Sequence, residues 1–333
     1  MTGLAGELYQ YLPFKADTTG GNTYTRDGFF KYNPFQQQAV FMQQQYSSQG
    51  ETYFYGQTVF EESPLNRPNK TMAPGNSWVG ASRGVEVKYR FNTVTDSVRI
   101  WIVTNAASGF GSYATSANYA AGELFKMVTA DEHGKQVVEF KDKEGLVVLK
   151  KVQLSADPDT GTGKGYAGWL NTYYIYDSVS RLRCVVQPQG VELLRTNSWS
   201  MSYSGGVILD EQCFRYEYDA SNRMILKKVP GAGIVYMIYD ARDRVVKTQD
   251  SLLRAAHKWM YTLYDGLNRP IISGLITDNT YYNNAAYHRG QAISSISYPN
   301  TGSYTDEVLT KTFYDNYDWR SAESNPLKQY KKQ

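Results

Sequence analysis

The carboxylates with the type and spacing to do chemistry in this chain of 333 residues are those that follow tyrosine. Tyr176-Asp177, Tyr218-Asp219, Tyr239-Asp240 and Tyr264-Asp265 each have an arginine four residues after the aspartate, at Arg181, Arg223, Arg244 and Arg269. A free carboxylate could serve as a general acid or base. A guanidinium within reach keeps it ionised and occupied instead, in a geometry an ammonium matches less well. The pattern therefore reads as a structural clasp. Tyr314-Asp315 is a looser copy, with Trp319 in the fourth place and Arg320 one later. Phe140-Lys141-Asp142 begins a decayed copy, with Leu146 where the arginine belongs.

Other candidate chemistry is weaker. Gly163 to Gly168 satisfies G-x-G-x-x-G by letter, but Pro158 precedes it and a strand-like run follows, where a dinucleotide site needs a buried strand and then a helix. Lys164 is followed by Gly165, not by the Ser or Thr of a P-loop. Asp157-Pro158-Asp159-Thr160-Gly161 opens like a calcium loop but lacks the closing glutamate and reads as a flexible turn. His133, His257 and His288 stand far apart without a second ligand at metal spacing, and no Gly-x-Ser-x-Gly elbow is present. The expectation is a protein with no catalytic residue, no cofactor and no metal.

The clasps need hairpins to hold them. Asp219 can accept a backbone N–H two residues on, and Ala220, Ser221 and Asn222 tolerate a tight turn. Before it, Phe214, Tyr216 and Tyr218 alternate with Arg215 and Glu217, the period of a strand with two different faces. The Asp-to-Asp interval is shortest from Asp219 to Asp240 and longest from Asp265 to Asp315, which excludes a solenoid of one fixed period. Hairpins of unequal length in one continuous sheet fit it.

These phrases, in RYEYDASNRM, YMIYDARDRV and YTLYDGLNRP, resemble the YD repeats of bacterial RHS-repeat proteins, related to the repeats of animal teneurins. PLNRPNKTMAPGNSW, at 64–78, and FKDKEGLVVLKK, at 140–151, resemble blocks of a Bacteroidetes-type subgroup. The resemblance implies a spiral, Tyr-lined shell that in complete proteins encloses a toxic C-terminal segment. It further implies flanking repeats and a C-terminal effector as partners, and an extracellular or cell-surface location. The self-cleaving activity of that family belongs to a core region after the repeats, and nothing before Gln333 resembles it. MTGLAGELYQYLPF resembles the tail of a further repeat, so the chain reads as a fragment cut at both ends.

Composition sets the bounds. Aromatic residues make up 14% of the chain and 29 of them are Tyr, so a sheet half wet on both faces is expected. A net charge of +3 with no basic stripe speaks against nucleic acid. No run approaches a membrane span, and no export signal opens the chain. Cys184 and Cys213 lie in strand-like runs that could be neighbours, read as two half-buried thiols with a disulfide left open.

Along the chain, an irregular N-terminal segment over 1–80 carries one helix near 34–46, and a YD-repeat meander continuous with it fills 81–333. Asn33-Pro34 starts the helix as N-cap and first residue; Phe35, Ala39, Met42 and Tyr46 form its apolar stripe and the glutamines a solvated surface. The segment 52–80 reads as an irregular crossing, 105–122 as a mobile loop, 157–168 as a Gly-rich loop, and 189–206 and 277–290 as long loops. The fold expected is all-β: a long curved antiparallel sheet of hairpins acting as a wall. The alternative is an extracellular recognition module in which exposed Tyr and Trp, from among Trp78, Trp101, Trp169, Trp199, Trp259 and Trp319, stack on carbohydrate.

Overall fold

Period-two alternation in the sequence becomes antiparallel pairing between neighbours in the chain. The computed structural model describes residues 8–16, 33–202 and 207–315. Sixteen strands follow chain order in one antiparallel sheet, and Ile102–Thr104 with Ser112–Ala114 make a separate two-stranded sheet. The all-β expectation holds. The chain forms two compact units, residues 1–99 with 117–171 and residues 100–116 with 172–333.

The first unit begins with β1 (Tyr9–Tyr11), α1 (Pro34–Tyr46), β2 (Tyr55–Phe60), β3 (Pro68–Met72) and β4 (Val85–Phe91). After β5 (Ile102–Thr104) and β6 (Ser112–Ala114), which belong to the second unit, the chain returns as β7 (Phe125–Ala130), β8 (Gln136–Lys141) and β9 (Val147–Gln153). Leu124, Val128, Val138, Phe140, Val148 and Leu149 are its buried apolar residues on these last strands and their approach. Two expectations change here. The supposed irregular crossing contains β2 and β3, whose pairing from Gln57 with Met72 to Phe60 with Pro68 places Pro68 at a strand end where its missing N–H is tolerated. Helix α1 spans the expected residues, but it buries Gln38 and Met42 while Phe35 and Tyr46 stay exposed. The Gln38 amide reaches in to donate to the carbonyls of Leu12 at 2.6 Å and Phe54 at 3.2 Å.

Strand β10 (Trp169–Tyr176) runs from the first unit into the second, which continues with β11 (Leu182–Val186), α2 (Pro188–Thr196), α3 (Val207–Glu211), β12 (Cys213–Tyr218) and β13 (Met224–Lys228). There follow β14 (Val235–Tyr239), β15 (Val245–Gln249), α4 (Ser251–Ala255), β16 (Lys258–Tyr264), β17 (Pro270–Thr277), α5 (Ala285–Ala292) and β18 (Thr305–Lys311). The single expected helix is thus joined by four more among the described residues. Two of them occupy the supposed long loops. Gly190 lets α2 close onto β11, since a Cβ there would sit 2.9 Å from Val186 Cγ1. Helix α5 buries Ala285, His288 and Ala292 in a core with Ile238, Trp259, Tyr261 and Ile276.

The strand faces also differ from a simple reading of alternation. On β12 the more buried residues are Cys213 and Glu217, while Phe214, Tyr216 and Tyr218 are half-buried. A charged residue can occupy the inner face because it is paired there. The supposed mobile loop carries β6 with buried Tyr113, whose hydroxyl donates to the Arg183 carbonyl at 3.1 Å.

Candidate functional site

At each intact corner one aspartate organises the whole turn. At Asp219, the backbone N–H donates to the Arg223 carbonyl at 3.0 Å, and Oδ1 accepts from the N–H groups of Ser221 at 3.0 Å and Arg223 at 2.9 Å. Its other oxygen, Oδ2, accepts Arg223 Nε at 2.7 Å. The same bonds recur at Asp177 with Arg181, at Asp240 with Arg244 and at Asp265 with Arg269, with Nε to Oδ2 at 2.8, 2.8 and 2.7 Å. The residue before each arginine is left-handed: Ser180, Asn222, Asp243 and Asn268 have φ of 63, 62, 60 and 64°. Each turn is accompanied by a register shift next to Tyr176, Tyr218, Tyr239 or Tyr264. These local bonds require an acceptor-rich short side chain first and a forked donor fifth, which is why the phrase recurs by type.

The tyrosine has a separate task, and the sequence did not reveal it. The Arg223 guanidinium lies over the ring of Tyr239 at 5.2 Å, that of Arg244 over Tyr264 at 4.7 Å and that of Arg269 over Tyr314 at 4.4 Å. The hydroxyls of these tyrosines donate back to the carbonyls of Met224 at 2.9 Å, Val245 at 2.8 Å and Pro270 at 3.1 Å, each the residue after the preceding arginine. Each arginine also reaches forward, Arg181 to the Asp219 carbonyl, Arg223 to Asp243, Arg244 to Asn268 and Arg269 to Asp315. Every corner is therefore fastened to the next. Asp315 takes part as a forward partner with φ of 60°, while Trp319 and Arg320 lie outside the described residues.

Further corners follow the same logic, Asp131 with Lys135 among them. Asp142 makes the turn bonds to Leu146 and Gly145 without an arginine, as its sequence implied. In the first unit Glu61 and Arg67 form a wider clasp that sequence reading missed, with Nε to Oε1 at 2.8 Å, the Arg67 guanidinium over Tyr89 at 4.0 Å and the Tyr89 hydroxyl donating to the Pro68 carbonyl at 3.1 Å. The only sequence signal would have been a carboxylate, an arginine and a later tyrosine at looser spacing. The Arg67 partnership holds the Glu61 carboxyl down at about 2. Burial works to raise the Asp177 and Asp219 carboxyls, but their N–H and arginine donors outweigh it and leave both below the usual range. Such carboxylates are acceptors already in use, unsuited to taking a substrate proton.

Buried charge also forms clusters beyond the corner clasps. In the first unit Lys126 Nζ sits between Asp96 Oδ1 at 2.8 Å and Asp159 Oδ2 at 2.5 Å, all three side chains at 0 or 1% exposure. Lys151 donates to the carbonyls of Lys164 and Gly165, and burial drops its ammonium to about 8. The Gly-rich loop, expected as a flexible turn, is thus a docked strap, and Asp159 is paired with Lys126. Gly163 at φ 85° passes so close that a Cβ would meet Thr93 Oγ1 at 2.2 Å. In the second unit Arg183 joins Asp177, Glu217 and the Asn105 side chain, and Glu217 accepts the Gly111 N–H at 2.6 Å. Lys247, buried among Trp259, Tyr298 and Tyr304, lies 3.2 Å from His288 Nδ1. Burial takes Lys247 to about 7 and His288 to about 4.

The remaining candidates separate. Cys184 and Cys213 are free, buried thiols on neighbouring strands, and burial raises the Cys184 thiol. His133 and His257 are not drawn into a cluster with His288, and among the described residues no three His, Cys, Asp or Glu side chains converge to hold a metal. Trp169 and Trp259 are buried, Trp101 and Trp199 pack edge-on to each other and to Tyr173, and Trp78 lines a cleft. No helix among the described residues is long and apolar enough to cross a membrane.

Residues 3–91 match a domain of unknown function, DUF6443. No curated protein matches. Among solved structures, the chain is similar to one in a TcdB2-TccC3-TEV crystal structure, with 14% identity over 68% of this chain and 11% of that one and a TM-score of 0.36. A Tc holotoxin pore of Photorhabdus luminescens with a TccC3 mutation matches at 12% identity, covering 68% of this chain and 13% of that one, with a TM-score of 0.34. This chain spans about a tenth of the length of those chains.

Proposed function

We propose that this chain is a non-catalytic structural scaffold, a stretch of RHS-type β wall that encloses or presents a C-terminal effector outside the cell. The observation that carries the reading is the fastening of corner to corner. Arg181, Arg223, Arg244 and Arg269 each close their own hairpin and engage the next, so side chains that could do chemistry are consumed in fixing the register of a continuous sheet. The Tyr-Asp-x3-Arg phrases supply the family likeness, and the DUF6443 match accompanies it over the first 91 residues.

Sequencing the genomic DNA on both sides of the reading frame tests the enclosure. A continuous frame with further repeats, a core and a variable tail is expected, and that tail, expressed with this chain, should resist trypsin. Stop codons close to both ends, or a tail digested as fast as when free, would overturn the role. Among the described residues β18 ends the sheet and is exposed along its whole length, including Val308 and Leu309, and an edge open there seeks a partner strand. Light scattering of the isolated chain should therefore show association that grows with concentration.

A further inference from the structure

The first unit contains a cleft that the corner clasps do not use. It lies against the last turns of α1, has a volume of about 460 Å³, and is lined by Met42, Tyr46, Glu51, Tyr53, Phe54 and Trp78 among others. A second cleft of about 610 Å³ adjoins it, sharing Leu12, Pro74 and Trp78. Among the described residues each cleft has one charged lining residue, Glu51 in the first and Glu132 in the second.

Glu51 is held in place before any ligand arrives. Its Oε2 accepts the Asn76 backbone N–H, the Asn76 amide donates to the Gly50 carbonyl at 2.9 Å, and Asn76 Oδ1 accepts the Thr52 N–H at 2.9 Å. Gly75, at φ 120°, brings the carboxylate and the indole to one wall, since a Cβ there would stand 3.3 Å from Glu51 Oε2 and 3.5 Å from Trp78 Cδ1. The Trp78 ring already carries one of the protein's own cations, the Arg83 guanidinium at 4.3 Å, but Arg83 does not line the cleft. A fixed carboxylate among aromatic faces, with no basic residue among the described lining residues, is complementary to an organic cation.

We propose that this cleft binds an alkylammonium or guanidinium group, with Glu51 as counter-ion and Tyr46, Tyr53 and Trp78 as its walls. Such a group comes either from a free quaternary ammonium compound or from a basic side chain of a peptide, and both offer the same chemistry to the site.

Calorimetric titration with choline chloride, with N-acetyl-arginine amide and with dimethylbutanol, the uncharged carbon isostere of choline, separates the cases. At least one cation should saturate the protein about tenfold more tightly than the uncharged isostere. A tighter choline assigns the site to free quaternary ammonium compounds, and a tighter arginine amide assigns it to peptide side chains. Glu51→Gln keeps an acceptor for Asn76 and should erase the tenfold preference without lowering the melting temperature. Tyr46→Leu, at an exposed position on the helix end, should weaken the cation and leave the fold intact. Equal affinity for the isostere, no saturation by either cation, or an unchanged preference in Glu51→Gln would overturn the proposal.

Discussion

Two kinds of place in the molecule hold charge differently: the hairpin corners and the buried cluster around Lys126. The second unit spreads it along hairpin corners, in pairs four residues apart whose arginine side chains remain 10 to 33% exposed. The first unit sinks Lys126 between Asp96 and Asp159, with exposure near zero. A corner pair such as Asp219 with Arg223 can relax into water when one partner is lost, whereas Asp240, at 0% exposure, is the one corner carboxylate that cannot. A buried trio cannot, because the remaining carboxylates have no solvent and lose their direct ion-pair partner, with Lys151 acting on them only from a distance. Corner charge therefore sets register cheaply and repeatedly, whereas buried charge fastens one particular loop in one particular place.

Lys126→Met sharpens this contrast most. It leaves two carboxylates buried and unpaired, and urea denaturation should show a loss of about 3–5 kcal/mol, with the strap at 157–168 becoming open to protease. Arg223→Ala, which strips a clasp whose aspartate is 19% exposed, should cost about 1 kcal/mol. A loss at the corner as large as that at Lys126 would erase the distinction between corner charge and buried charge. Arg269→Ala, at the most exposed of the four arginines, should move the melting temperature less than Arg223→Ala does.

The titration of the second unit follows from its depressed groups. His288 falls from 6.5 to about 4 on folding, so between those values the unfolded chain binds more protons and stability should drop as the pH is lowered from 6.5. Lys247 falls from 10.5 to about 7, so raising the pH from 7 to 9 should stabilise the unit. Asp177, Asp219 and Asp265, held below 3.8, add stability that is lost only as the pH falls below that value. Thermal melts of Lys247→Met should lose the alkaline part of this profile, shrink the His288 part, which Lys247 deepens, and keep the carboxylate part. The smallest effect is expected at Ser180, where Ser180→Gly relieves a left-handed residue and should raise stability by less than about 1 kcal/mol.

What was legible in the sequence follows the same division. The Asp-x3-Arg clasps could be read because both partners fall within one turn, and the strands around them because side chains alternate. The Asp96–Lys126–Asp159 trio could not, since its members are brought together by pairing of β4 with β7 and by a loop more than thirty residues further on. Glu61 with Arg67 escaped because a longer turn changes the spacing while keeping the chemistry. The helices at Pro188–Thr196 and Ala285–Ala292 were hidden by Gly, Asn and Ser around them, and both gain their stability from the sheet cores they cover. The forward reach of each arginine onto the next tyrosine depends on which strands lie side by side, and no local phrase encodes that.

The central claim is that neighbouring corners are coupled. A double-mutant cycle between Arg244→Ala and Tyr264→Leu tests it most directly, because Arg244 lies over the Tyr264 ring at 4.7 Å while Asp240, its own clasp partner, stays in place. A coupling energy of about 0.5–1 kcal/mol is expected from denaturation of the two single variants and the double variant. Strict additivity would mean that each hairpin stands alone and that the corners do not bind the wall together.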